Sequence, residues 1–428
     1  MASRINQPSY ALWSGSKKFL MIAIALLIVV GWGLYAYSQQ WINGLSVTGM
    51  GDIGTAGGAA WGLYIVFDVY FVGISFAGIT IAALIRLFNL ERLRPIARMA
   101  ELLTIVVLVL AGLVVLIDLG QPGRGIINLL RYARPMSPFF GTFTLVISGY
   151  LFASLVYFYL DGRKDAAECA KQPGRWQWFH KIWAAGYKDT PGERQRHRHT
   201  TWWLALFILP ILVIAHSTLG LVFGLQVGRP GWFSALQAPS FVLMAGVSGL
   251  GFIIIIAAIL RSVPKLRDRL PLEIFSWLGN FTWIMLIGYI YFIAVEILTS
   301  TYTAHRDEVL LTQQLFSGAY AWLFWSSLGL ILVSFGLLFG QFLRRRYLIS
   351  LMVISGVLLN LAAIGKRFLI VVPSQTHGTL LPYDAGAYSP TWVEYSIILG
   401  IFALGTLAYM LFIKVFPIME IQENSKGE

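Results

Sequence analysis

The stretch AAWGLYIVFDVYFVGISFAGITIAALIRL, residues 59–87, carries a single carboxylate, Asp68, and no other charged side chain before Arg86. As a helix it would be roughly 43 Å long, more than the roughly 30 Å of a bilayer's hydrocarbon. A run of this length with one charge reads as a membrane span. Nine further runs share its character, at 19–38, 97–119, 138–160, 202–226, 239–261, 273–298, 318–341, 347–371 and 393–416. Several are long enough to tilt. The first could pass for a signal peptide, but it is too long for one and no A-x-A-like cleavage site follows, so it is read as a retained helix.

Composition agrees. The chain is 57% hydrophobic and 12% charged, with a mean hydropathy of +0.71, where a soluble domain has about a quarter of its residues charged. The expectation is an all-α integral membrane protein of ten transmembrane helices, as one membrane domain over 1–428. If the N-terminus is cytoplasmic, 25 of the 32 Lys and Arg fall in cytoplasmic segments and 7 in outer ones. That asymmetry follows the positive-inside rule and predicts both termini in the cytoplasm. The +12 net charge is thus mainly a topology signal and calls for no nucleic acid. The basic, aromatic segment 161–201, with WQWFHKIW at 176–183, suits the anionic inner leaflet. A metal site at His197 and His199 is weakly supported without carboxylate or Cys partners.

A weak repeat adds organisation. Gly73-x-Ser75-x-x-Gly78 recurs as Gly246-x-Ser248-x-x-Gly251, four spans later and in the same direction. Small residues at this spacing allow close helix packing. A parallel duplication predicts two four-helix bundles, 59–226 and 239–371, flanked by 19–38 and 393–416.

The chain has one cysteine, Cys169, and no C-x-x-C-H, so no iron–sulfur cluster or covalent haem is expected in it. Only His216 of six histidines lies inside a span, one short of a bis-histidine haem. There is no P-loop, dinucleotide-binding glycine pattern or H-E-x-x-H. No metal site is predicted.

Ionisable groups inside the membrane are costly, so each is a functional candidate. They are Asp68, Asp118, His216, Glu296 and the pair Lys366 and Arg367, all in the outer half; the inner half reads as comparatively dry. Each has a plain structural reading too. Asp118 could cap its helix or pair with Arg124 or Arg131, Glu296 could pair with Arg367, and His216 could bond a carbonyl freed by Pro210. Asp68 has no evident local partner. At helical spacing it should share a face with Trp61 and Tyr64. Glu101 and Glu394 read as interfacial. The four groups Asp68, Asp118, His216 and Glu296 are the proton-transfer candidates. The segment 372–392, stiffened by Pro373, Pro382 and Pro390 and bearing Tyr383, Tyr388 and Trp392, reads as a rigid outer platform.

Taken with AAWGLYIVFDVYFVGISFAG (59–78), DLGQPGR (118–124), LLRYARPMSPFFGT (129–142) and RFLIVVPSQTHGTLLPYDAGAYSPTWVEY (367–395), the chain resembles the polysulfide-reductase-type (NrfD/PsrC-like) membrane subunits in their longer ten-helix form. The resemblance implies a quinone- or quinol-binding subunit, taking menaquinone or ubiquinone, without haem or cluster of its own. It implies a periplasmic ferredoxin-like iron–sulfur partner, with further redox subunits such as a multihaem cytochrome or molybdopterin enzyme. It also implies residence in the inner membrane, with a quinone site at the outer face of the first bundle. Trp61, Tyr64, Arg131, Arg367 and His377 lie in the resembling segments and are the candidate quinone contacts. The competing readings are a proton or ion translocator without redox chemistry and a passive anchor for a periplasmic enzyme.

Overall fold

Ten long apolar helices cross the structure, a computed structural model that describes residues 17–50, 59–132, 134, 144–302, 305–376 and 388–421. They are α1 (Lys17–Asn43), α2 (Leu63–Leu87), α3 (Arg94–Asp118), α5 (Thr144–Ala170), α7 (Pro191–Gly224), α8 (Gln237–Arg261), α10 (Leu272–Tyr302), α12 (Ala321–Arg344), α13 (Ile349–Val371) and α14 (Trp392–Val415). Four short helices lie between them: α4 (Pro122–Tyr132), α6 (Gln177–Ala184), α9 (Pro264–Arg267) and α11 (Arg306–Phe316). No strand occurs among the described residues. The chain is a multi-pass all-α membrane protein, as its hydropathy predicts. The face on which α2 begins is called the upper face below, and the opposite one the lower.

Local signals set several boundaries. Thr190 and Glu193 form a reciprocal capping box at the start of α7, with Pro191 in the first turn, and Thr391 and Glu394 do the same for α14. Helices α5 and α7 run about three turns past the hydropathy limits at 160 and 202, to Ala170 and from Pro191. Buried charge pairing, described below, accounts for the α5 extension.

Helices α2, α3, α5 and α7 pack as one closed ring, and α8, α10, α12 and α13 as another. The rings meet where α2 and α7 lie on α8, and α2 on α13. Helices α1 and α14 pair outside them and lean on α3 and α2. Glycine permits the closest approaches. A side chain at Gly249 would stand 2.7 Å from the Ile74 carbonyl oxygen and 2.6 Å from Ala77 Cβ. One at Gly251 would stand 3.1 Å from the Gly356 backbone, and one at Gly33 would stand 2.9 Å from Gly400 Cα. Of the repeat glycines, Gly73 packs toward Ala245 and Ser248 across the seam, while Gly78 packs on α3 and Gly251 on α13. Helix α2 sits at the centre of the molecule, with nearly every side chain buried.

Candidate functional site

Tyr64 and Asp68 stand one turn apart near the upper end of α2, both buried. Tyr64 donates to Gln40 Oε1 of α1 at 2.6 Å, and Gln40 Nε2 donates to the Ile117 carbonyl at the upper end of α3 at 2.9 Å. This brings Asp118, the next residue, beside them. Asp118 is close enough to Asp68 and Glu394 to feel the charge of both. Its Oδ1 is buried without a hydrogen-bond partner among the described residues. Asp68 is 5% exposed, and no hydrogen bond to it is formed among the described residues. Two carboxyls near the upper end of the first bundle therefore lack hydrogen-bond partners among the described residues. Neither of the predicted pairings of Asp118, with Arg124 or Arg131, forms among the described residues. Arg131 is exposed on α4, the amphipathic turn that follows, and so stands apart from the pair.

The expected stack of Trp61, Tyr64 and Asp68 does not form. Trp61 precedes α2 and lies on Trp232 of the α7–α8 connection, with ring centroids 5.6 Å apart and planes at 21°. Gln375 clamps its backbone, accepting from Trp61 N and donating to Trp61 O, both at 2.9 Å. Tyr64 points the other way, toward α1. Nearby, Glu394, in the first turn of α14, is fully buried within the protein. It accepts from Tyr388 OH at 2.6 Å and from the backbone N–H groups of Gly49 (2.7 Å) and Thr391 (3.0 Å). Tyr388 OH in turn accepts from Leu63 N at 2.5 Å, fixing the start of α2. Burial, and then the Glu394 carboxylate, hold the Tyr388 phenol well above the usual tyrosine range. This end of segment 372–392 is thus tied to the bundle. His377 lies outside the described residues.

Below Asp68 a file of polar groups follows α2 downward. His216 of α7 is fully buried, with Nε2 2.8 Å from the Val72 carbonyl and Nδ1 2.9 Å from the Leu212 carbonyl. The predicted bond to a carbonyl is there, but to Leu212 in place of one freed by Pro210. A doubly protonated ring satisfies both acceptors and a neutral ring only one. One turn further, Thr104 and Tyr150 both donate to the Ser75 carbonyl, at 2.9 and 3.0 Å. The Tyr150 ring lies 5.8 Å from His216. Tyr157 follows, donating to Ala82 O at 3.4 Å.

The lower end corrects the expectation of a dry inner half. Glu101 is fully buried among protein groups, and both its oxygens lack partners among the described residues. Beside it Arg86 pairs with Asp161 and, at 2.7 Å, with Glu420, while Arg98 pairs with Asp165 and, at 3.4 Å, with Asp161. The segment after α14 closes this end: Phe416, Ile418 and Met419 are buried, and Arg269 donates to the Glu420 carbonyl at 2.6 Å. Burial lifts Glu420 above the usual glutamate range despite the Arg86 guanidinium. From Asp68 to Arg86 the file covers about 27 Å at helical rise, close to the hydrocarbon thickness.

The second bundle receives the other candidates. Glu296 pairs with Lys366 (3.9 Å), not with Arg367. Arg367 is buried over the Phe241 ring, 4.0 Å from its centroid. Neither joins the Asp68–Asp118 pair. No group of three or more His, Cys, Asp or Glu suited to a metal occurs among the described residues.

The family described as polysulphide reductase, NrfD, matches residues 51–378. The chain belongs to that family. It is 31% identical to a putative dimethyl sulfoxide reductase membrane subunit of Halobacterium salinarum, over 92% of this chain and 90% of that protein. It is also similar to a selenate reductase subunit of Mesobacillus selenatarsenatis, at 26% identity over 86% and 88% of the two chains. The menaquinone reductase integral membrane subunit of Nitratidesulfovibrio vulgaris is 23% identical over 96% and 94%. The matched region of this family member includes the whole polar file and the start of α2.

Proposed function

We propose that this chain is the quinone-interacting membrane subunit of an oxidoreductase, and that the pocket for the quinone headgroup lies at Asp68 and Asp118. The observation that carries the reading is the buried Asp68 and the half-buried Asp118, whose Oδ1 is buried, neither with a hydrogen-bond partner among the described residues at the upper end of the first bundle. A quinol gives up two protons and two electrons together, and they must part. Carboxylates within reach of the ring hydroxyls accept the protons by general-base transfer. The electrons leave to a redox partner subunit, because the chain has one cysteine and no described ligand group for a metal. The reverse direction uses the same groups as donors. The names of the relatives support the class: a selenate reductase subunit, and membrane subunits of a dimethyl sulfoxide reductase and a menaquinone reductase.

The polar file supports a finer reading, proton exchange between this site and the lower face through His216, Tyr150, Tyr157 and Glu101. The charge distribution and the family resemblance support an upper face in the periplasm, where an iron–sulfur partner would dock. The test is electron transfer between a naphthoquinol and the partner carriers in membranes with and without this chain. We expect quinol-linked transfer to vanish without it, while the partner's activity with artificial donors persists in the soluble fraction. Quinol-linked transfer that persists without the chain overturns the reading.

A further inference from the structure

The second bundle contains a cavity of about 390 Å³ near the upper face, between the upper parts of α10 and α13, helix α11 and the start of α8. It plays no part in the function proposed above. Ile293, Ile297, Leu311, Phe324, Leu369 and Ile370 give it apolar walls. Two of its polar groups can donate to a guest, the loosely paired Lys366 ammonium and the unpartnered Ser374 hydroxyl. Lys366 is 8% exposed, and its nearest carboxylate oxygen, on Glu296, stands at 3.9 Å, beyond hydrogen-bond reach. The Phe324 ring lies 5.8 Å from the ammonium. The Ser374 hydroxyl is buried and has no partner among the described residues. Two donors held in one apolar cavity call for a ligand that accepts hydrogen bonds.

Charge narrows the ligand class. Lys366 is matched by Glu296 and by Glu308, whose Oε1 accepts from Gly231 N at 2.8 Å. Burial lifts Glu308 above the usual glutamate range, with Glu296 and Asp307 adding to it. With Glu308 protonated the three groups sum to zero, and with it ionised they are net negative. With His305, which also lines the cavity, neutral, neither state suits a phosphate anion. A neutral ring bearing carbonyl oxygens suits both. The volume lies within the ~300–1,000 Å³ of small-molecule sites. Exposed Leu298, Trp322 and Trp325 on the adjoining helices give the approach an apolar surface, the kind a lipid-soluble ligand meets.

We propose that this cavity is a second quinone-class binding site, in which Lys366 and Ser374 donate to the carbonyl oxygens of the ring. It is a binding site only and is separate from the Asp68–Asp118 pair. The test uses the assembled complex and a short-tailed azido-naphthoquinone as photolabel, with adducts mapped by peptide mass spectrometry. Adducts are expected within 293–316 or 366–374. Ile297→Trp, which fills the cavity, should lower them at least tenfold while quinol turnover stays at the wild-type rate. Leu369→Phe provides a milder filling should Ile297→Trp fail to assemble, and Lys366→Met should weaken labelling in the same peptides. Absence of adducts there, or adducts insensitive to filling, overturns the proposal. So does labelling displaced by phosphatidylglycerol and not by unlabelled naphthoquinone, which assigns the cavity to a lipid headgroup. Adducts near Asp68 report separately on the first site, so the two readings fail independently.

Discussion

In the proposed site Asp68 and Asp118 would meet a quinol with two carboxyls that no described residue satisfies, and the His216 ring meets two carbonyls with at most two protons. Asp68→Asn preserves shape and removes the base. It should leave the complex assembled and slow quinol turnover roughly ten- to thousandfold, the scale of lost acid–base help. The measurement is quinol-driven reduction of the partner carriers in membranes of matched complex content, with Asp268→Asn on the lower face as control. Wild-type turnover of Asp68→Asn would assign the residue a structural role. Asp68, Asp118 and His216 were legible in the sequence because each interrupts an otherwise apolar run. Glu101, Asp161 and Asp165 were not. Charges near a helix end look solvated when the partner comes from far away in the chain, as Arg86, Arg98 and Glu420 do. The orientation of Trp61 was illegible for a related reason: helical spacing cannot place a residue that precedes the helix.

The seam between α2 and α8 is a feature of elements. Its two glycine motifs were visible as a repeat, and spacing alone gave the close packing. That Gly73 would lie against Ser248 while Gly78 packs on α3 and Gly251 on α13 required knowing which helices are neighbours. At Gly249 an added methyl meets the Ile74 carbonyl oxygen at 2.7 Å, a backbone atom that cannot step aside. Gly249→Ala should therefore cost about 1–3 kcal/mol, as overpacking does, and lower the thermal midpoint of the purified complex. At Gly336 on α12 nothing lies within 4 Å. Gly336→Ala there should be neutral or raise the midpoint, since alanine is favoured over glycine in helices by about 1 kcal/mol. Equal midpoints for the two variants would show that the seam tolerates separation and does not join the bundles tightly.

At the scale of the whole molecule, function depends on which face is which. The Asp68–Asp118 pair and the second-bundle cavity both lie near the upper face. The basic residues concentrate on the lower one, where the positive-inside rule puts the cytoplasm. The single cysteine makes this testable, because Cys169 is buried and takes up little label. Ser46 on the upper face and Ser262 on the lower are both exposed, and cysteine changes each by one atom. In intact cells a membrane-impermeant maleimide should label Ser46→Cys and spare Ser262→Cys, and after lysis it should label both. The reverse pattern would bring the carboxylate pair to the cytoplasmic side. Protons released by quinol would then enter the cytoplasm, and any partner subunit would have to dock there. Labelling at Ser46 alone before lysis would instead set quinol oxidation at the outer surface. The file from His216 to Glu101 would then lead inward, so that it could carry protons against or with the membrane potential according to the direction of electron flow.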